Sequence, residues 1–228
     1  MITDFLQWMG FGLCHQLPER SFFGGGVQVP VCARDTGIYI GFVVSVALIA
    51  LVHSGDRPRG FPRWPVWALM GGLVALMAWD GLTSYSGLRV TNNALRLITG
   101  LGTGFSAAVL VYPMLQDELW RRSDSTRVLD PVWRFLAWSA GIPATFAVVW
   151  WGAPALGVGY PLLVAVCIVF TLSAINLVIV AMFPAFDRRG DTPRSILVPS
   201  VIAVVITFAE IALAGWLRAV LEGLARAL

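Results

Sequence analysis

Charge is scarce in this sequence. Of its 228 residues only 13% are Asp, Glu, Lys or Arg, against about 25% in a soluble domain, while 57% are hydrophobic. So little polar surface cannot coat a globule in water, which excludes soluble enzymes, secreted disulfide scaffolds and disordered chains together. Lysine is missing altogether, and all 16 basic residues are arginine, an absence that carries no functional reading of its own. The arginines fall in short, separated groups with no basic stripe interleaved with aromatics. Nucleic acid is therefore not an expected partner, despite a net charge of +3. Histidine is limited to His15 and His53, and Cys14-His15 lacks the preceding Cys-x-x of a c-type attachment site, which argues against haem. Nucleotide-binding loops, kinase signatures and Ser-His-Asp patterns are missing too. No segment alternates apolar and polar residues over the roughly ten positions that a membrane barrel strand needs.

What is present are long apolar runs. Six can cross ~30 Å of hydrocarbon: Thr36–Val52, Trp64–Trp79, Leu97–Leu115, Val132–Trp151, Gly157–Phe183 and Ile196–Leu217. The expected fold is all-α, a polytopic membrane helix bundle. It divides into an N-terminal segment, residues 1–35, and a six-span bundle, residues 36–228. Met1-Ile-Thr-Asp4-Phe5 has no basic n-region, and Asp4 and Gln7 interrupt its apolar stretch. The pattern of Phe5, Leu6, Trp8, Met9 and Leu13 instead predicts a short helix lying in the interface.

Arginine bias predicts the orientation. Arg57, Arg59, Arg63, Arg121, Arg122, Arg127, Arg134, Arg188, Arg189 and Arg194 fall on one side of six spans; Arg20, Arg34, Arg89, Arg96, Arg218 and Arg226 fall on the other. The arginine-rich side is expected to be cytoplasmic, which places both termini outside. The expected location is a bacterial cytoplasmic membrane, with the lipid bilayer as the first partner.

Two polar signatures fall on the outer side. The first joins Cys14-His15-Gln-Leu-Pro18-Glu19-Arg20-Ser21-Phe22-Phe23 to Pro30-Val-Cys32-Ala-Arg34-Asp35-Thr36-Gly37. Cys14, His15, Cys32 and Asp35 are all candidate metal ligands, and Cys32 and Asp35 have the spacing of a zinc knuckle. Gly24-Gly-Gly between the halves lets the loop close. A Cys14–Cys32 disulfide and free thiols are the alternatives. Cys167, in mid-span among Val and Ile, reads as a small buried apolar residue.

These residues resemble a family of small bacterial and archaeal integral membrane proteins, classed as a domain of unknown function, with the signature CHxxPERSFF followed by PxCARCTGxYxG. The resemblance covers about 30 residues and departs at Asp35, where the family pattern has a second knuckle cysteine. If the family site is a thiolate-rich zinc site, the version in this chain is harder and weaker, or catalytic, or lost, and the resemblance brings no activity with it.

The second signature runs from Asp80 through Tyr85, Arg89, Asn92, Asn93 and Arg96 to Gly100. Thr91 is expected to cap the third span, so that Asn92, Arg96, Thr99 and Thr103 share one helix face. Asp80 is expected to end the second span within reach of Arg96. Arg34, Arg96, Asn92 and Asn93 suit a phosphate or lipid headgroup, since guanidinium holds phosphate in a bidentate fork. Glu210, inside the sixth span, and Asp80 are the candidate catalytic bases, because an ionisable group at that depth is costly. Asn176 reads as an interhelical hydrogen-bonding residue. Thr36-Gly37-xxx-Gly41-Phe42 and Thr99-Gly100-xxx-Gly104-Phe105 echo each other, and small-xxx-small spacing predicts that spans one and three pack together, bringing both signatures into one cleft.

Three functions follow as expectations. One is an enzyme with an outward-facing metal site, zinc being the candidate cofactor, acting on a lipid-borne or membrane-delivered substrate. The others are an accessory subunit of a membrane complex and a transporter for a small solute or ion.

Overall fold

The computed structural model describes residues 2–188, 190–192 and 194–227; Arg189, counted in the arginine bias, lies outside them. Seven α-helices account for most of these residues: α1 (Ile2–Phe11), α2 (Ala33–Val52), α3 (Trp64–Tyr85), α4 (Asn93–Leu119), α5 (Val132–Ala147), α6 (Gly159–Ala181) and α7 (Leu197–Ala227). All but α1 are long and apolar enough to span a bilayer, α5 by continuing through a π turn and a 3-10 turn to Leu156. The protein is a polytopic all-α bundle.

Two spans run six or more residues past the C-terminal end of their apolar runs. α3 continues past Trp79 to Tyr85 with Asp80 and Thr83 buried, because arginines from elsewhere neutralise Asp80 inside the protein. α7 continues to Ala227, where Arg218 and Glu222 pair at i, i+4 (2.7 Å).

The core is centred on α2 and α4, which run parallel at backbone contact. A Cβ on Gly100 would stand 2.0 Å from the Arg34 carbonyl oxygen, one on Gly104 2.1 Å from that of Ile38, and one on Gly37 2.5 Å from that of Leu97. The two echoed glycine motifs are therefore the two halves of one helix contact, as their spacing predicted. Lower in the bundle, Trp138 Nε1 donates to Ser45 Oγ (2.7 Å), which donates to the Phe105 carbonyl (3.1 Å), tying α5, α2 and α4 together.

α1 is held against the bundle as well as lying at its edge. Leu6 and Met9 are buried with Val29, Val31 and Ile211, while Phe5 and Trp8 stay exposed. The chain from Gly12 to Cys32 is tied down by side-chain bonds. Gln16 Nε2 donates to the Pro30 carbonyl (2.9 Å), Gln28 Nε2 to that of Gln16 (2.8 Å), and Arg218 Nη1 to those of Phe11 and Cys14 (both 2.6 Å). A two-residue hairpin, β1 (Phe23–Gly24) against β2 (Val27–Gln28), turns on Gly25 and Gly26, both at positive φ.

The other end of the bundle is closed by the His53–Arg63 and Trp120–Pro131 loops, paired as β3 (Pro58–Gly60) and β4 (Asp124–Arg127). His53 is 1% exposed; its Nε2 accepts from the Leu129 N–H (3.0 Å) and its Nδ1 lies 2.8 Å from Arg134 Nη1. Burial, reinforced by the Arg134 charge and opposed by Asp56, pushes its pKa down from 6.5 to about 4. A histidine whose folded pKa is lowered contributes its stability above the unfolded pKa and loses it as the pH falls. Thermal stability of the detergent-solubilised protein is therefore expected to drop between pH 6.5 and 4, by roughly 1–3 kcal/mol. His53→Gln should flatten the profile in that window, and equally steep profiles for both proteins would refute the assignment.

Candidate functional site

The N-terminus of α2 builds the site. Cys32 is the N-cap and Asp35 occupies the third helical position, the spacing at which capping-box side chains meet. Cys32 Sγ donates to Asp35 Oδ2 (3.2 Å). The Gly12–Cys32 segment brings Cys14 to the same place, and the Cys32 backbone N–H donates to its sulfur (3.2 Å). One ligand atom from each of Cys14, Cys32 and Asp35 lies within 4.8 Å of the others.

The two thiols are unequal. Side-chain hydrogen bonding with Cys32, opposed by burial and helped by the Gln16 N–H, lowers the Cys14 pKa to about 7. The same bond, burial and the Asp35 charge push Cys32 upward. No disulfide joins them.

Ligands at 2.0–2.3 Å around a tetrahedral ion stand roughly 3.5–3.8 Å apart, so the trio is compact enough to close on zinc with small side-chain movements. Two sulfurs and one carboxylate oxygen suit a borderline-soft cation, and the positive end of α2 favours thiolate there. His15 lines the same cleft from an exposed position, but it is not within the compact cluster of the other three.

That cleft has a volume of about 240 Å³ and is bordered by Cys14, His15, Arg20, Cys32, Arg34, Asp35, Ser84, Tyr85 and Arg96, with Leu13 and Leu17 at its edge. The two signatures therefore meet, through the α2–α4 contact. Within the second one, however, the partners differ from those expected. Asp80, 2% exposed, accepts from Arg34 and Arg89 and from Thr91 Oγ1 (2.8 Å); Arg96 makes no ion pair with it among the described residues. Asn92, not Thr91, caps α4 by accepting from the Leu95 N–H (2.8 Å). Thr91 is free to reach Asp80 because its neighbour does the capping. Asn93 donates to the Glu19 carbonyl (3.3 Å) and faces Arg96 Nη1 at 3.5 Å.

Glu210 stands elsewhere. It lies on the exposed side of α7 and accepts from Asn176 Nδ2 (2.7 Å), which also donates to Thr207 Oγ1 (3.1 Å). Asn176 thus makes the interhelical bond its position suggested, and Glu210 is part of that α6–α7 cluster rather than of the cleft.

Arg20, Arg89, Thr91, Ser84 and Tyr85 belong to the site without having been singled out by their spacing. For Arg20 and Arg89 the signal was present, as arginines on the side with few of them. For Ser84 and Tyr85, in the last turn of α3, and for Thr91, expected only as a cap, the fold alone reveals the role.

The model of the family described as "Predicted membrane protein (DUF2085)" matches residues 14–110. An uncharacterized protein of Methanocaldococcus jannaschii is 36% identical over 110 residues, 48% of this chain and 68% of that protein. The chain belongs to this membrane protein family. A second uncharacterized protein, from Methanothermobacter thermautotrophicus, is 37% identical over 99 residues, covering 43% of this chain and 83% of its own. No solved structure matches the chain. The span matched by the DUF2085 model runs from Cys14 into α4 and so holds Cys14, Cys32 and Asp35 together with Asp80 and Arg96, while Glu210 lies beyond it.

Proposed function

We propose that this DUF2085 protein is a metal-binding membrane protein, with zinc held by Cys14, Cys32 and Asp35 in a cleft open to the outside of the cytoplasmic membrane. The observation carrying this reading is the convergence of two thiols and a carboxylate from chain positions 14, 32 and 35 within 4.8 Å. The arginine distribution supports the outward orientation. Three protein donors leave a fourth position to His15 or to a molecule from the cleft, the open arrangement found in catalytic rather than structural zinc sites. Bound there, zinc would supply Lewis acidity beside the arginines. The substrate in this reading reaches the cleft from the membrane surface, which makes an enzyme on membrane-delivered substrates the favoured activity. Neither Asp80, saturated by its three donors, nor Glu210, bonded to Asn176, is assigned a proton-transfer role.

The test is elemental mass spectrometry with a parallel thiol count on the full-length protein in detergent. About one zinc per chain is expected, falling to background in Cys32→Ser and Cys14→Ser. His15→Ala should retain part of it, because the compact cluster does not depend on the imidazole. A metal-free protein with a single free thiol would establish the second reading, a Cys14–Cys32 disulfide, which the proximity of the two sulfurs also permits.

A further inference from the structure

The buried charges around this cleft do not balance. Arg96 is 8% exposed, yet no carboxylate lies within ion-pair distance of it among the described residues, and its side chain's hydrogen bond is to the neutral Asn93 amide at 3.5 Å. The carboxylate that could have served it, Asp80, is already taken by Arg34, Arg89 and Thr91. Asp35 faces Cys32. Arg34 has an Nε that is buried without a hydrogen-bond partner. Arg20, on the rim, pairs among the described residues only with Glu19, at 3.9 Å, a contact between a half-buried and an exposed side chain. Three guanidinium groups thus border one cavity, and the deepest of them has no counter-charge.

A guanidinium taken out of water without a counter-ion is costly, and proteins retain one where an anion completes it. Its planar fork of donors matches the oxygens of a phosphate in bidentate fashion. The cavity, about 240 Å³, is also the right size. At roughly 30 Å³ per water it accommodates a tetrahedral oxyanion together with several waters.

We infer that the cleft is an oxyanion site in which Arg96 and Arg20 clasp a phosphate group, carried either by a free phosphate compound or by a lipid headgroup, directly beside the Cys14–Cys32–Asp35 trio. The inference deepens the metal-site reading, since it names the substrate class that reading leaves open, but the arginines need no metal to bind. Arg34 acts differently from the other two: its bond to Asp80 fixes the floor of the cleft and leaves the buried Nε facing a partner it lacks within the protein.

The experiment uses the full-length protein in dodecylmaltoside, a detergent without phosphate. Inorganic phosphate is titrated and followed by the shift in unfolding temperature, and micelles doped with phosphatidic acid are examined in parallel by native mass spectrometry for retained lipid. Wild type is expected to bind at least one of the two probes, and Arg96→Gln to weaken that binding by at least about tenfold. Binding of inorganic phosphate alone identifies a free phosphate compound as the ligand; retention of phosphatidic acid identifies a headgroup. Arg20→Gln, on the solvated rim, provides the same test should Arg96→Gln fail to fold, with a smaller expected loss of about threefold to tenfold. Cys32→Ser separates the two readings: it should lose zinc yet keep phosphate affinity within about threefold. Arginine-dependent phosphate binding in a protein that never holds zinc would sink the metal reading alone. No binding of either probe by wild type, or equal binding by wild type and both arginine variants, overturns the oxyanion site.

Discussion

Gly100→Ala is expected to lose the folded bundle or leave it severely destabilised, although it adds one methyl group. The added Cβ would sit 2.0 Å from the Arg34 carbonyl oxygen and 2.9 Å from its carbon. Those are backbone atoms of α2, so no side-chain rotation relieves the clash and the two helices must separate. Overpacking a close contact costs typically 1–3 kcal/mol, and here the upper end or beyond applies because Gly37, Gly41 and Gly104 lose the same approach together. α3 provides the control. Gly71 and Gly72 are exposed with nothing within 4 Å of an added Cβ. Alanine there should be neutral or stabilising, by up to about 1 kcal/mol of helix preference. Unfolding temperatures and the monodisperse fraction in detergent decide the matter; equal behaviour of Gly100→Ala and Gly71→Ala would show that the glycine contact does not organise the fold. Because Arg34 lies on the displaced strand of contact, the cleft should deform along with the bundle.

The α2–α4 contact is also where the sequence was most legible. Hydropathy located all six spans, since no other explanation accommodates runs of that length, and a repeated Thr-Gly-xxx-Gly-Phe pattern specified which two touch. What could not be read was where a span ends when a charge is buried within it. Asp80 looked like a terminus because an isolated carboxylate ends an apolar run. In the protein α3 carries on to Tyr85, since Arg34 and Arg89 arrive from 46 residues before and nine after to neutralise it. Such a charge is placed by partners that are distant in sequence, and hydropathy contains no term for them.

The site divides in the same way. Cys32 and Asp35 could be placed together by their knuckle-like spacing, which the fold realises as the N-cap and third residue of α2. Cys14, 18 positions before Cys32, joins them through the folding of a loop held by Gln16 and Gln28, which glycine content made possible but did not specify. The pairing of Arg96 with Asp80 was inferred from proximity along the chain. Competition decides it instead: Arg34, Arg89 and Thr91 hold Asp80, and Arg96 is left without an ion pair among the described residues. Glu210, singled out for its depth in the bilayer, satisfies that depth locally by bonding to Asn176 across α6 and α7. A residue's cost shows that it needs a partner, not which one it has.

Asp80→Ala is expected to destabilise the protein by about 3–5 kcal/mol, the range for removing one partner of a buried ion pair. The two arginines do not share this cost equally. Arg89 has a side chain 40% exposed and regains water when released, whereas that of Arg34 is only 11% exposed and cannot. The penalty should therefore follow Arg34. Adding Arg34→Ala to Asp80→Ala is expected to recover much of the loss, while adding Arg89→Ala recovers little, a distinction that double-mutant cycles in detergent measure directly. Asp80→Asn should fall between wild type and Asp80→Ala, since an amide still accepts from Thr91 but offers Arg34 no charge. A loss below about 1 kcal/mol for Asp80→Ala would mean that Arg34 finds solvent or another acceptor.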